Sequence, residues 1–233
     1  MWEDDALELT MYKSGGAENK LGTGFIVLGR VIDWEPIDDR MSRLRIKGRF
    51  FSCHIFNVHC PYEESSDAEK EAFYAKLEQK FDSCPQRDVK IVIGDMNACK
   101  GREEMNKPVI GPNSLHIVTN DNGQRCINFA ASRGMVVRST FFPRKDIHKV
   151  TWTSPNQQTK TQIDHVFIDS PFFSDIRNIP TAVVRTSTQT TTWWVQACTQ
   201  NCRRRTTDVG GSHRRSTPSG CRTRLWLSTT CSS

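Results

Sequence analysis

The chain has 233 residues, 36% hydrophobic and 25% charged, with 10 Pro and 14 Gly, which suffices for one large domain and excludes collagen-like, low-complexity and wholly disordered classes. Its apolar runs fall far short of the roughly 20 residues a membrane helix needs, and Met1-Trp2-Glu3-Asp4-Asp5 has neither the basic flank nor the apolar stretch of a secretory signal, so the nine cysteines suit reduced thiols in the nucleus or cytoplasm. The net charge of +6 is unevenly placed: residues 181–233 hold eight Arg, no Lys and one acid, Asp208, whereas 1–180 carry 24 basic and 25 acidic residues. This divides the chain into a near-neutral domain over 1–180 and a basic, Thr/Ser/Arg-rich tail over 181–233, expected to be disordered.

In chain order, a strand is expected over 21–28, after the turn-rich Ser14-Gly15-Gly16. Leu44 and Ile46 alternate with Arg43, Arg45 and Lys47, Gly48 breaks the run, and residues 51–58 resume it, which predicts a hairpin. Ser66 followed by Glu69 makes a capping box, and Phe73, Leu77 and Phe81 recur every four residues, so a helix is expected over 67–81. A buried strand follows over 89–93 and runs into Gly94-Asp95-Met96-Asn97. A second helix fits 125–132 with Gly134 beyond its C-terminus, then a strand over 135–138, and the last apolar strand covers 163–168. Mixed strands and helices in one body predict a layered α/β sandwich.

Polar groups at strand ends carry the candidate chemistry. Asp95 and Asn97 are separated by one position after a strongly β-branched strand, and a carboxylate beside an amide suits a phosphate site, the acid holding a hard cation or orienting water and the amide donating to a phosphoryl oxygen. Gly, Asp and Asn are also ordinary turn formers, so this pattern alone is equally a turn. Asp164 lies inside an apolar strand, where a buried carboxylate needs a partner. Its neighbour His165 alternates to the other face and is expected to be a sheet-surface histidine. Asn57 and His59 end the 51–58 strand, while Trp152 and Ser154 offer an aromatic wall and a hydroxyl.

Four segments, Asn57-Val58-His59-Cys60-Pro61, Gly94-Asp95-Met96-Asn97-Ala98, Thr151-Trp152-Thr153-Ser154-Pro155 and Gln162-Ile163-Asp164-His165, resemble in order and spacing the active-site segments of the endonuclease/exonuclease/phosphatase superfamily. The resemblance covers about 2–179 and is nearest to endonuclease domains of non-LTR retrotransposons and to craniofacial development protein 2-like sequences. It implies a four-layer α/β sandwich with two facing sheets flanked by helices, magnesium as cofactor, and hydrolysis of DNA phosphodiesters. It also implies roles for particular residues. Asp95 and Asn97 would orient the attacking water and the scissile phosphate, Asp164 would hold a catalytic histidine, His59 would stand near the phosphate, and Asn57, Trp152 and Ser154 would meet the substrate.

The same resemblance implies a metal-binding glutamate in a strand ahead of Trp2 and a Ser-Asp-His segment after Asp164. Neither is found, so the domain is expected to be N-terminally truncated and inactive as written; Glu3 and Asp4 lie beyond the expected position, and the later His213 sits in no apolar strand. The genetic code offers a test of the tail. Shifting the frame by one base across Thr188 to Trp194 fixes valine at the junction of the two TGG codons and allows Ser-Asp-His-Tyr-Leu ahead of it. A frameshifted tail is therefore expected in preference to a basic nucleic-acid-binding arm built on Arg203-Arg204-Arg205 and Arg214-Arg215. The alternative function is a non-enzymatic remnant that binds nucleic acid or protein through that tail.

Overall fold

A computed structural model describes residues 9–15, 21–28, 31–48, 50–176, 190–195 and 224–231. The described strands, in chain order, are β1 (Leu9–Gly15), β2 (Leu21–Leu28), β3 (Val31–Asp38), β4 (Met41–Ile46), β5 (Cys53–His59), β6 (Val89–Asp95), β7 (Met135–Val137), β8 (Trp152–Thr153), β9 (Lys160–Thr161), β10 (Asp164–Asp169), β11 (Thr190–Val195) and β12 (Arg224–Cys231). The α-helices are α1 (Asp67–Asp82), between β5 and β6, and α2 (Asp121–Ser132), before β7.

Strands β5, β6 and β10 read as continuous apolar runs because both of their faces are covered. They form the centre of a six-stranded mixed sheet in the order β3-β4-β5-β6-β10-β7. Only the β5–β6 pair is parallel, and α1 makes that crossover. One face of this sheet, with Phe56, Val58, Val92, Val137 and Phe167, packs on Phe73, Leu77 and Phe81 of α1 and on Cys126, Ile127, Phe129 and Ala130 of α2. The other face, with Leu44, Ile46, Ile55, Ile91, Ile93, Val166 and Ile168, packs on Phe25 and Val27 of β2. That strand belongs to a second, antiparallel sheet of order β1-β2-β12-β11.

The two-sheet α/β sandwich expected from sequence is what the chain forms; among the described residues the helices lie on the outer face of the six-stranded sheet. The predicted hairpin is β4–β5, in register Leu44↔Ile55. Half of the capping box forms, since the Ser66 side chain accepts the Glu69 N–H while Glu69 Oε1 accepts from Arg40 Nη2. Helix α2 starts four residues earlier than expected. Asn120 is its N-cap, and the Glu63 carboxylate accepts from Asn120 Nδ2 at 2.7 Å and from the backbone N–H groups of Asp121 and Asn122. These bonds stabilise a first turn that Asp, Asn and Gly would otherwise leave non-helical.

Two segments of the stretch expected to be a disordered tail are strands. β12 pairs with β2 along its whole length and β11 pairs with β12. The edge of β2 away from β1 is open for pairing, and Leu225-Trp226-Leu227 and Thr229-Thr230 have high strand propensity, so charge composition gives way to β-pairing there. The rest of 181–233, His213 and the arginine pairs included, lies outside the described residues, as do Glu3 and Asp4.

Between the sheets runs a polar seam. The hydroxyls of Ser14 and Thr23 lie 2.8 Å apart, those of Thr23 and Ser42 2.6 Å apart, and Asn57 Nδ2 donates to Gly24 O at 3.0 Å. All four side chains are buried, so each bond prevents the penalty of an unpaired polar group.

Candidate functional site

Because β5 and β6 are parallel and β10 is antiparallel to β6, the C-terminal ends of the first two meet the N-terminal end of the third at one rim. The register aligns His59, Asp95 and Asp164 as direct neighbours across the three strands. Residues paired in this way share a face, here the one turned toward the second sheet. The apolar core of that face therefore ends in a histidine and two carboxylates.

Local backbone geometry sets the middle of the row. Gly94 has φ 130, and a Cβ there would stand 2.0 Å from Val58 O and 3.0 Å from Asn57 Oδ1, so only glycine lets β6 lie this close to β5. Asn97 adopts φ 45, a conformation that Asn tolerates better than most residues. Its N–H donates to Asp95 Oδ1 at 2.8 Å and its Nδ2 donates to Cys60 O at 2.7 Å. Asn122 of α2 donates through Nδ2 to both Asn97 O and Pro61 O. The 95–97 turn is thus tied to the segment leaving β5, with one amide hydrogen of Asn97 already committed.

Burial governs the electrostatics. It pushes the Asp95 carboxyl up to about 6, against the opposing pull of the Asn97 N–H and the Lys100 ammonium. Asp164 is 2% exposed, and its N–H and that of Ile163 both donate to Thr151 Oγ1. His59 is pushed down to about 4 by burial and by the Arg40 guanidinium, which keeps the ring neutral. Both of its ring nitrogens are buried without a hydrogen-bond partner, while the ring stacks edge-on against Tyr62.

The other sequence candidates sit apart from this row. Asn57 shares the face but is 1% exposed, and its amide ties the two sheets together through Gly24. Trp152 is exposed on the β8–β9 ribbon, which is tied to the row by Thr151, whose N–H donates to Thr161 O and whose hydroxyl accepts the Asp164 N–H. Ser154 closes the ribbon's turn, donating to Asn156 Oδ1 and accepting the Thr159 N–H. His165 is not the surface histidine that alternation suggested. It is buried on the helix-facing side, where Nδ1 accepts from Ser139 Oγ at 2.9 Å and Nε2 donates to Gln162 O at 3.0 Å.

Sequence reasoning missed Lys100, which is wholly buried with its ammonium 5.7 Å from the centre of the Phe167 ring. Lysine defaults to the surface, and nothing in Ala98-Cys99-Lys100-Gly101 marks an exception. It also missed Thr151 and Asn122, whose roles exist only through contacts distant in sequence.

No family model matches the chain. In sequence it is 30% identical over 144 residues to craniofacial development protein 2 of Tragulus javanicus and 29% identical over 144 residues to that of Bos taurus. Each alignment covers 62% of this chain, which spans about a quarter of the length of the curated relatives it matches. Among solved structures, the endonuclease domain of TRAS1, a telomere-specific non-LTR retrotransposon, superposes with a TM-score of 0.52 at 11% identity over 76% of this chain and 74% of that one. An endonuclease/exonuclease/phosphatase family protein from Leptotrichia buccalis C-1013-b gives 0.45 at 13% identity over 71% and 61%. The chain is thus similar in sequence to craniofacial development protein 2 and in fold to the endonuclease domain of a non-LTR retrotransposon.

Proposed function

We propose that this domain retains the DNA-facing half of a phosphodiesterase site and does not hydrolyse DNA as written. The alignment of Asp95 with Asp164, beside a neutral and unpartnered His59, is the observation that carries this reading. Two carboxylates placed to steady a phosphate and its water suit phosphodiester chemistry, and an Asp95 carboxyl near 6 is poised to change protonation close to neutrality.

Magnesium, which the resemblance implies, does not fit what is present. Among the described residues no three His, Cys, Asp or Glu side chains converge on a point a metal ion could occupy. Asp95 also already accepts the Asn97 N–H and feels the Lys100 ammonium. The neighbouring carboxylates alone do not make a hydrolytic metal centre, so the chain's own residues supply orientation rather than an activated nucleophile. Asp164 is proposed to be the orienter of a histidine, and β11 spans the positions at which the shifted frame allows Asp-His-Tyr-Leu ahead of the fixed Val.

DNA is the ligand class we propose, with a nuclear or cytoplasmic setting; Cys53, Cys60, Cys84, Cys99 and Cys126 are free thiols, and no described helix is long and apolar enough to cross a membrane. The test is plasmid nicking in the presence of magnesium. The chain is expected to nick no faster than its Asp95→Ala variant, since loss of a general acid or base alone costs about 10²- to 10⁴-fold in rate. Magnesium-dependent nicking that Asp95→Ala abolishes would overturn the inactive reading and point to His59 or His165 as the base. The rate is expected to return only when both an upstream strand bearing the metal-binding glutamate and the shifted-frame terminus are restored.

A further inference from the structure

At the opposite end of β5, five residues or about 17 Å from His59, a second set of titratable side chains meets. Cys84, just past the end of α1, places Sγ 3.4 Å from His54 Nδ1. His54 Nε2 lies 3.1 Å from Asp88 Oδ2, and that same oxygen accepts from Arg45 Nη2 at 3.2 Å. Arg43 Nη1 approaches the sulfur at 3.9 Å. The Asp88 contact fixes the imidazole tautomer, because a carboxylate accepts and Nε2 must therefore carry the hydrogen. This leaves the Nδ1 lone pair facing the thiol. The order is nucleophile, base and orienting carboxylate, the arrangement by which a neutral thiol is activated.

We propose that Cys84, with His54 as its base and Asp88 as the group that orients the base, is a thiol that reacts with hydroperoxides. The attacking sulfur lone pair forms an S–O bond to one peroxide oxygen while the O–O bond breaks. The thiol proton passes to His54 Nδ1 and then to the departing hydroxide, which leaves as water. Sulfur is oxidised to the sulfenic acid and the peroxide is reduced.

Burial supports a neutral resting pair, since it raises the Cys84 thiol, against the pull of Arg43, and lowers the His54 imidazole. The proton then moves during attack, with Asp88 stabilising the imidazolium. The thiol has a second acceptor, Lys80 O at 3.5 Å, which holds the proton only until the base takes it. Access selects the reagent. Cys84 is 4% exposed and lies between Ser83 and Pro85, both on the surface, so the reagent proposed is one scarcely larger than water.

The experiment treats the whole chain with hydrogen peroxide for varied times, stops each reaction by denaturing the protein in dimedone, a trap for sulfenic acids that then reaches every sulfur, and follows each cysteine by mass spectrometry. Trapping at Cys84 is expected to be at least about tenfold faster than at half-buried Cys99, and His54→Gln and Asp88→Asn should remove that advantage. Equal rates at Cys84 and Cys99, or an advantage that survives both substitutions in folded protein, would overturn the proposal. Should His54→Gln fail to fold, the wild-type pH profile decides. The charged and titratable groups facing the sulfur are His54, Asp88, Arg43, Arg45 and Lys90. A base-assisted rate stays level from pH 6 to 8, whereas an unassisted thiol gains about tenfold per pH unit, and that gain would refute the base.

Discussion

Replacing Asp95 by Asn tests whether the rim carboxylate is held at the expense of stability. Burial raises the Asp95 carboxyl from its ordinary 3.8 to about 6, so the folded chain binds this proton more tightly than the unfolded chain does. Stability from this group is therefore fully present below pH 4 and is lost as the pH climbs through 6. Two pKa units correspond to about 3 kcal/mol, and solvent at the half-buried carboxylate reduces this to about 2 kcal/mol. Asparagine keeps an oxygen for the Asn97 N–H while removing the charge. The variant should therefore gain about 2 kcal/mol at pH 7.5, or about 4–8 °C in Tm for a chain of this size, and only a few tenths of a kcal/mol at pH 4. Urea unfolding at the two pH values reads the difference directly. A variant less stable than wild type at pH 7.5, or a gain equal at both values, would refute the reasoning.

Gly94→Ala should cost about 3 kcal/mol or more in chemical denaturation, because its Cβ would stand 2.0 Å from Val58 O and the required φ is 130. Asn57→Ala removes the bond to Gly24 O that ties β5 to β2, for an expected loss of about 0.5–1.5 kcal/mol in urea unfolding. Lys100→Met takes away the ammonium that favours ionised Asp95, so the Asp95 titration, followed by carboxyl-carbon NMR, should move upward from about 6.

The sequence marks elements whose local signal agrees with their tertiary setting and misses those where the two conflict. β6 and β10 are legible because both faces are buried, and α1 because its cap and four-residue spacing coincide. β3 is not legible, since it is an edge strand carrying Asp33, Glu35 and Pro36, residues tolerated at an edge where one side has no ladder to complete. The first turn of α2 depends on Glu63, 58 residues from Asp121. His165 illustrates the limit of alternation, which gives the correct face but cannot show that the 138–141 turn has already covered it, through Ser139. At the site, the motifs point to Asp95, Asn97 and Asp164, but their alignment with His59 follows from strand order, which one sequence does not contain.

Costly features concentrate around a single carboxylate. Gly94 and Asn97, on either side of Asp95 and Met96, both have positive φ; Asp95 itself is held above its ordinary titration range; and His59 beside it keeps two buried nitrogens without partners. Each feature destabilises the fold, and a turn could join β6 to the following segment without any of them. Packing alone gives no reason for all of them to meet at one strand end, whereas a site that must bring charge to the edge of an apolar core does. The polar seam approaches the same rim from within, through Asn57, but every hydroxyl and amide along it is paired. The contrast between the satisfied seam and His59, whose buried ring nitrogens lack hydrogen-bond partners, sets the groups that hold the sheets together apart from the rim proposed above to meet a ligand.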